Sequence, residues 1–244
     1  MKHVYDLNKL LASFSESDFY TVSVEEYKGC NHIAIKFKAH FSTTTAALII
    51  GDALHNFRSA LDMLYYWAFH CTLGGTNHRT KFPIRDQREE LVAAIDGGLK
   101  EKGLTDDPSA IKIRNVIVDV IKPYTAGNPT LWSLHAMNIM DKHQLLIPVF
   151  KIMRFTDIRL EDDKKEVFLA DGQPYFTDNS YRFKLGREGI ITVKDKGHAA
   201  TAIVFNVGVP FNNKPVIPAL AEISESVTSA IDAFENVGLR SFFD

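Results

Sequence analysis

TTTAALIIGDALHNFRSALDMLYYWAFH, residues 43–70, decides how the rest of the chain is read. At about 1.5 Å per residue it makes one helix of about 40 Å. Ile50, Leu54, Phe57, Leu61, Leu64 and Ala68 recur with alternating gaps of four and three, the spacing of a helix face turned to a core. A second stripe, Asp52, His55, Ser59, Asp62 and Tyr66, lies nearly opposite, with Arg58 on its flank. A solvated face normally carries Lys and Glu, and this stretch contains neither. We therefore expect a helix covered all round, whose polar groups find partners in the interior. Converging buried ionisable groups mark functional sites.

A counterpart lies in Thr130–Ile147, TLWSLHAMNIMDKHQLLI. Leu131, Leu134, Asn138, Asp141 and Leu145 share one helical seam, and two of those five positions are polar. An unpaired buried polar group costs roughly 1–3 kcal/mol, so an ordinary core seam would hold Leu or Ile there. His135, Lys142 and His143 lie beside the seam. Packed seam to stripe, the two helices would bring Asp52, His55, Arg58 and Asp62 to Asn138, Asp141 and His143. Three chemistries fit that set. Asp and His one turn apart could ligate a metal, although neither helix has the Glu-x-x-His or His-Glu-x-x-His pattern, and no metal is assigned. His55 or His143 could handle protons while Arg58 clamps a phosphate. Alternatively, Arg58 pairs with Asp62 or Asp141 in a buried network that only fixes helix packing.

Outward from these helices, the patterning alternates between helix and strand. Tyr5–Phe14 reads as a short amphipathic helix with Leu7, Leu10, Leu11 and Phe14 on one side. Strands follow near Tyr20–Tyr27 and His32–Phe41, joined by a turn at Lys28-Gly29-Cys30-Asn31; Ile35 and Phe37 alternate with Lys36 and Lys38. After the long helix comes an ordered loop over Asn77–Arg85, containing Phe82-Pro83-Ile84. Asp86 with Glu89 resembles a capping box for a helix through Ile95, stopped by Gly97-Gly98. Asp107-Pro108 starts a helix with Ala110, Ile113, Ile117 and Val120 on its buried side, ending before Pro123. Asn128-Pro129 opens the next. From Val149 an antiparallel meander is expected over Phe150–Arg159, Glu166–Ala170, Tyr181–Leu185, Gly189–Val193 and Ala200–Val207. Pro215 leads into a final helix through Val237, with Val216, Leu220, Ile223, Val227, Ile231 and Phe234 inward, which returns to the bundle. The sum is one α+β domain over residues 1–244: a helical core at 43–148, antiparallel strands at 20–41 and 149–207, and a C-terminal helix at 215–237.

Composition narrows the classes. The 244 residues are 45% hydrophobic and 24% charged, as in an ordinary globular protein. A net charge of −2 supplies no whole-molecule field for nucleic acid or an anionic membrane, though a local basic patch can exist. Two cysteines, Cys30 and Cys71, are too few for a disulfide framework, and free thiols in a reducing cytosol are expected. No signal-type segment and no run of about 18 apolar residues occurs, so a cytoplasmic protein with no membrane span is expected. His78-Arg79 and Arg85–Arg88 form a modest basic cluster that reads as a solvated surface or a phosphate contact. Tyr65, Tyr66, Trp67 and Trp132 could stack on a base, yet aromatics at helical spacing usually belong to a core. No Walker, dinucleotide, Gly-x-Ser-x-Gly or Cys-x-x-Cys motif is present, and no cofactor is implied.

GDALHNFRSALD (Gly51–Asp62), Phe82-Pro83-Ile84 and LWSLHAMNIMDKHQLL (Leu131–Leu146) together resemble a family of bacterial proteins without assigned function. That family has a similar Gly-Asp-x-x-His-Asn-x-Arg-Ser-x-Leu-Asp helix, an FPI loop and an Asp-Lys-His helix, in the same order and spacing over most of the chain. More remotely, Asn56 and Arg58 resemble the Asn-x-Arg of the HEPN superfamily, helical proteins many of which are dimeric RNases of toxin–antitoxin and defence systems. The His that follows in that superfamily would fall at Met63, Leu64 or Tyr65. Arg114-Asn115 offers a second Arg-polar start, with Asp119 where a His would stand. The resemblance implies a helical bundle and a homodimer that binds or cleaves RNA or a nucleotide. The resemblance matches Asn56 and Arg58; the reading of the two helices adds His55 and His143 as catalytic residues with Arg58, and Asp52, Asp62, Asn138 and Asp141 as binding residues with Asn56. The alternative is a non-catalytic binding or partner-interaction module with a structural polar network.

Overall fold

The structure is a computed structural model that describes residues 2–15, 20–38, 43–73, 81–143, 149–172, 175–177, 180–205, 208 and 210–238. It is α+β, and the chain divides into two compact units, 1–46 with 148–204 and 47–147 with 205–244.

The first unit holds a helix, α1 (Lys2–Ser15), and the strands. β1 (Tyr20–Tyr27) and β2 (Cys30–Phe37) pair antiparallel through the two-residue turn Lys28-Gly29. Both turn residues have positive φ, +52° and +72°, which matches the twist of a tight hairpin. The region after Val149 is not a simple meander. β3 (Val149–Asp162) is long; β4 (Val167–Gly172) pairs along it, and β7 (Ile191–Asp195) and β8 (His198–Val204) also pair with it. β6 (Ser180–Lys184) instead pairs with β2, and the short β5 (Tyr175–Thr177) extends that sheet, giving the order β1-β2-β6-β5. One flanking sheet was expected; the described residues form two. Alternation explains the division, since Ile33, Ile35 and Tyr20 of one sheet meet Phe155, Ile158, Leu160 and Ile191 of the other in a shared core.

The second unit is helical. α2 (Thr43–Leu73) runs through it from Ala47 onward. Ile50, Leu54, Leu61, Leu64 and Ala68 are buried, as their spacing predicts. α3 spans Arg88–Glu101 and passes straight through Gly97-Gly98; it stops at Gly103, whose φ of +67° receives the left-handed turn. The expected capping box is absent: Gln87 is the N-cap, with no side-chain bond. α4 (Pro108–Asn115) is capped by Asp107, whose Oδ1 accepts from Ser109 N and Ala110 N. It continues as a π-helical turn over Val116–Ile121 before Lys122 takes φ +54°. The wider turn shifts the register, burying Val116, Val118 and Ile121 and leaving Val120, expected inside, 62% exposed. α5 (Pro129–His143) opens at Asn128, whose Oδ1 accepts from Leu131 N. α6 (Val216–Glu235) packs on α5 and on the π turn, with Val216, Leu220, Ile223, Val227 and Phe234 buried; Ala230 takes the place expected of Ile231. Among the described residues no helix is long and apolar enough to cross a membrane.

Candidate functional site: the buried arginine of the long helix

Two close approaches fix how α5 lies against α2. At Gly51 a Cβ would stand 2.9 Å from Asp141 Oδ1, so the missing side chain admits that carboxylate. Farther along α2, Arg58 and His135 lie close enough for the guanidinium charge to act on the imidazole. Position rises along α2 as it falls along α5, which makes the helices antiparallel. The seam of α5 therefore meets the Gly51–Arg58 flank of α2 and not the Asp52–His55 stripe. Leu131, Leu134 and Asn138 are buried and Asp141 is half-buried. The side chains of Lys142 and His143, and all of Leu145, lie outside the described residues.

The expectation of a helix covered all round is corrected at its outer face. Asp52, His55 and Asn56 are exposed, while Arg58 is 6% exposed and Asp62 half-buried. At 3.6 residues per turn, residues 52 and 55 fall on the side of α2 away from Leu54 and Leu61, and no element of the second unit needs to cover it. The structure brings together Arg58 and Asp62, but His55 is not turned inward with them. Among the described residues no group of three or more His, Cys, Asp or Glu side chains stands where it could hold a metal ion.

Arg58 and Asp62, one turn apart, grip the backbone of the loop after α2. Arg58 Nη2 donates to Asp62 Oδ1 at 2.8 Å and to the Phe82 carbonyl at 2.6 Å. Phe82 N donates to the same Asp62 oxygen at 2.8 Å. Phe82 and Ile84 are buried, and the Tyr65 ring meets Phe82 edge to face. Burial pushes the Tyr65 hydroxyl up to about 12. The far side of the loop is tied as well: Arg85 N donates to Pro123 O, and Thr125 N to Asp86 O. Trp132 Nε1 of α5 donates to Asp86 Oδ1 at 2.7 Å. That bond explains why Asp86 does not cap α3; its carboxylate is spent on α5. The loop is thus strung between α2 and α5, with Arg85 and Asp86 exposed at its rim and Arg58 buried beneath.

Two polar atoms in this cluster have no hydrogen-bond partner among the described residues: Arg58 Nη1 and His135 Nδ1, both buried. Burial disfavours the charge on Arg58, and Asp62 beside it favours that charge. His135 is held down at about 4, first by burial and then by Arg58 and Arg85, against the opposing pull of Asp62 and Asp86. The imidazole is therefore neutral at pH 7, within reach of two cations and two carboxylates. Sequence reasoning singled out Arg58, Asp62 and the FPI loop but ranked Arg85, Trp132 and His135 low. The signal for His135 was its place on α5 next to the polar seam.

The second Arg-polar pair leads elsewhere. Arg114 grips Asp96 through Nε and Nη2, and Asp119 pairs with Arg88 at 2.9 Å. In the other unit an open cleft of about 640 Å³ lies between the β1–β2 turn and residues 184–189. Asn31 Nδ2 there donates to Gly189 O at 2.8 Å, so its amide is used within the fold. No protein-family model, no curated protein and no solved structure matches this chain.

Proposed function

We propose that this protein is a non-catalytic recognition module that takes an anionic group, phosphate in the first instance, at Arg58 and His135. The observation that carries this reading is the pair of unpartnered buried atoms, Arg58 Nη1 and His135 Nδ1, in one cluster. Leaving a buried donor unmatched costs about 1–3 kcal/mol. Nη2 of the guanidinium binds Asp62 and Phe82 O and does structural work; Nη1 is idle. An anionic oxygen would accept from Arg58 Nη1 and from a protonated Nδ1 of neutral His135, with Arg85 at the rim adding charge. The exposed rim at Arg85 and Asp86 is the side from which such a group would arrive.

What argues against catalysis is the base. A general base works best with a pKa near the working pH, and His135 lies near 4. His55 is exposed rather than turned in beside Arg58. An RNA ligand is compatible with this reading, because a phosphodiester presents the required oxygen, whereas an RNase is not the form it favours.

The test is titration calorimetry with inorganic phosphate and anisotropy with a labelled single-stranded RNA. Binding of either is expected, lost in Arg58→Lys, which keeps the charge and loses the fork, and weakened in His135→Gln. Failure of phosphate, RNA and a simple carboxylate to bind overturns the proposal. RNA cleavage that disappears in Arg58→Lys overturns its non-catalytic half and restores the RNase reading.

A further inference from the structure

The outer face of α2 carries a pattern that the Arg58 site does not use. Asp52, His55, Asn56, Met63, Tyr66, Trp67 and His70 are exposed and Ser59 is half-buried. Met63 is 59% exposed, Trp67 42% and Tyr66 38%, a concentration of large apolar side chains that a solvated helix face does not carry. Tyr66 stacks on His70 at 5.5 Å, and Trp67 meets the same imidazole edge-on at 5.7 Å. At about 100° per residue, all eight side chains fall within about 120° of circumference, centred opposite the buried Leu61.

The order of those residues is symmetric about Leu61. Position 52 mirrors 70, 55 mirrors 67, 56 mirrors 66, and 59 mirrors 63. A two-fold axis lying outside the helix at the level of Leu61, perpendicular to it, sets the stripe against the same stripe of a second copy with the chain direction reversed. We propose that this face binds the same face of a second copy of the chain, with the two α2 helices antiparallel. Asp52 then meets His70 of the second copy at each end of the contact, an acid against a base. His55 meets the Tyr66 ring on one flank, Asn56 the Trp67 ring on the other, and the small Ser59 meets Met63 beside the axis. A parallel pairing in register would set Asp52 on Asp52 and His70 on His70 instead, so charge complementarity selects the antiparallel form. Arg58 lies beside this face and outside it, about 60° around the helix from His55, and this inference stands whether or not that arginine binds an anion.

Sedimentation velocity between about 1 and 100 μM reads the association directly, since a modest helix pair corresponds to a micromolar dissociation constant. A dimer is expected, and Met63→Glu and Trp67→Glu should each make it monomeric with an unchanged circular dichroism spectrum. Asp52→Lys should weaken it at least tenfold, and Asp52→Lys with His70→Glu should restore it. In a Cys30→Ser/Cys71→Ser background, Ser59→Cys chains should cross-link to Met63→Cys chains in preference to themselves. A monomer at every concentration overturns the proposal, as does a dimer indifferent to Met63→Glu and Trp67→Glu. Preferential Ser59→Cys self-cross-linking overturns the antiparallel register.

Discussion

The two sides of α2 draw on the same residue types and put them to opposite uses. On one side Arg58 and Asp62 are committed inward: two groups one turn apart hold both backbone atoms of Phe82 and leave guanidinium Nη1 idle. On the other side Asp52 and His55 stand in solvent among Met63, Tyr66 and Trp67. The absence of Lys and Glu marks both sides equally. What separates them is the neighbour. The inner side has a loop and a helix close enough to bury Arg58, and the outer side leaves Asp52 and His55 exposed.

The largest effect that would break this contrast is a truncation of the inner arginine. Arg58→Ala removes a pair that is 7% and 30% exposed at its two members and strips Phe82 O of its donor. We expect a loss of about 3 kcal/mol, at the lower end for breaking a buried pair because Asp62 keeps some water. His55→Ala and Asp52→Ala, measured on the monomer, should stay within about 0.5 kcal/mol. Urea denaturation at pH 7 checks all three. Equal losses on both sides would erase the distinction.

Next in size is a pH effect confined to the inner side. His135 is held at about 4 in the folded chain against an ordinary value near 6.5. Below pH 6.5 the unfolded chain takes up a proton that the folded chain refuses until about pH 4. Stability contributed by the neutral ring is thus complete above about 6.5 and lost as pH falls toward 4. For a half-buried ring this amounts to about 2 kcal/mol after discounting for solvent. His135→Gln should flatten the wild-type difference between pH 7 and pH 4.5 by that amount, read from denaturant midpoints at each pH.

How much of this was legible in the residues can be traced position by position. The inner face of α2, the β1–β2 hairpin (its turn is Lys28-Gly29, two residues shorter than the expected Lys28–Asn31), the Asp107 start of α4 and most of the α6 face followed from local spacing and turn chemistry, which act within a few residues. The failures share a cause: each depended on a partner distant in sequence. Asp86 reads as a cap until Trp132 claims its carboxylate. Gly97-Gly98 reads as a stop, but nothing forces positive φ there and Gly103 ends the helix instead. Val120 reads as buried until a π turn shifts the register. The β6 strand reads as part of a meander until its pairing with β2 draws it into the other sheet. His135 reads as a neighbour of the seam, and only the packing of α5 on α2 sets it beside Arg58.

Gly51 sharpens the packing half of the comparison. Ala at a helix interior gains up to about 1 kcal/mol over Gly from propensity alone. At Gly51 the new methyl would press on Asp141 Oδ1 at 2.9 Å, and overpacking of that kind costs about 1–3 kcal/mol. A net loss of about 1 kcal/mol is expected for Gly51→Ala, recovered in Gly51→Ala/Asp141→Ala. Gly97→Ala, on a helix with nothing within 4 Å of the added atom, should stabilise instead.

The smallest expected effect tests whether ion pairing alone distinguishes the inner arginine. Arg114 grips Asp96 with two nitrogens, and the Arg114 guanidinium holds the Asp96 carboxyl below its ordinary value. By hydrogen-bond count the pair rivals Arg58 with Asp62. Its side chains are 27% and 46% exposed, however, so water competes for every contact. Arg114→Ala should cost only about 0.5 kcal/mol in denaturant unfolding at pH 7. The depressed Asp96 value makes that contribution present at neutral pH and lost as pH falls through the acid range. A cost near that of Arg58→Ala would mean that bond number, and not burial, sets the worth of these pairs. The inner side of α2 would then have no special standing.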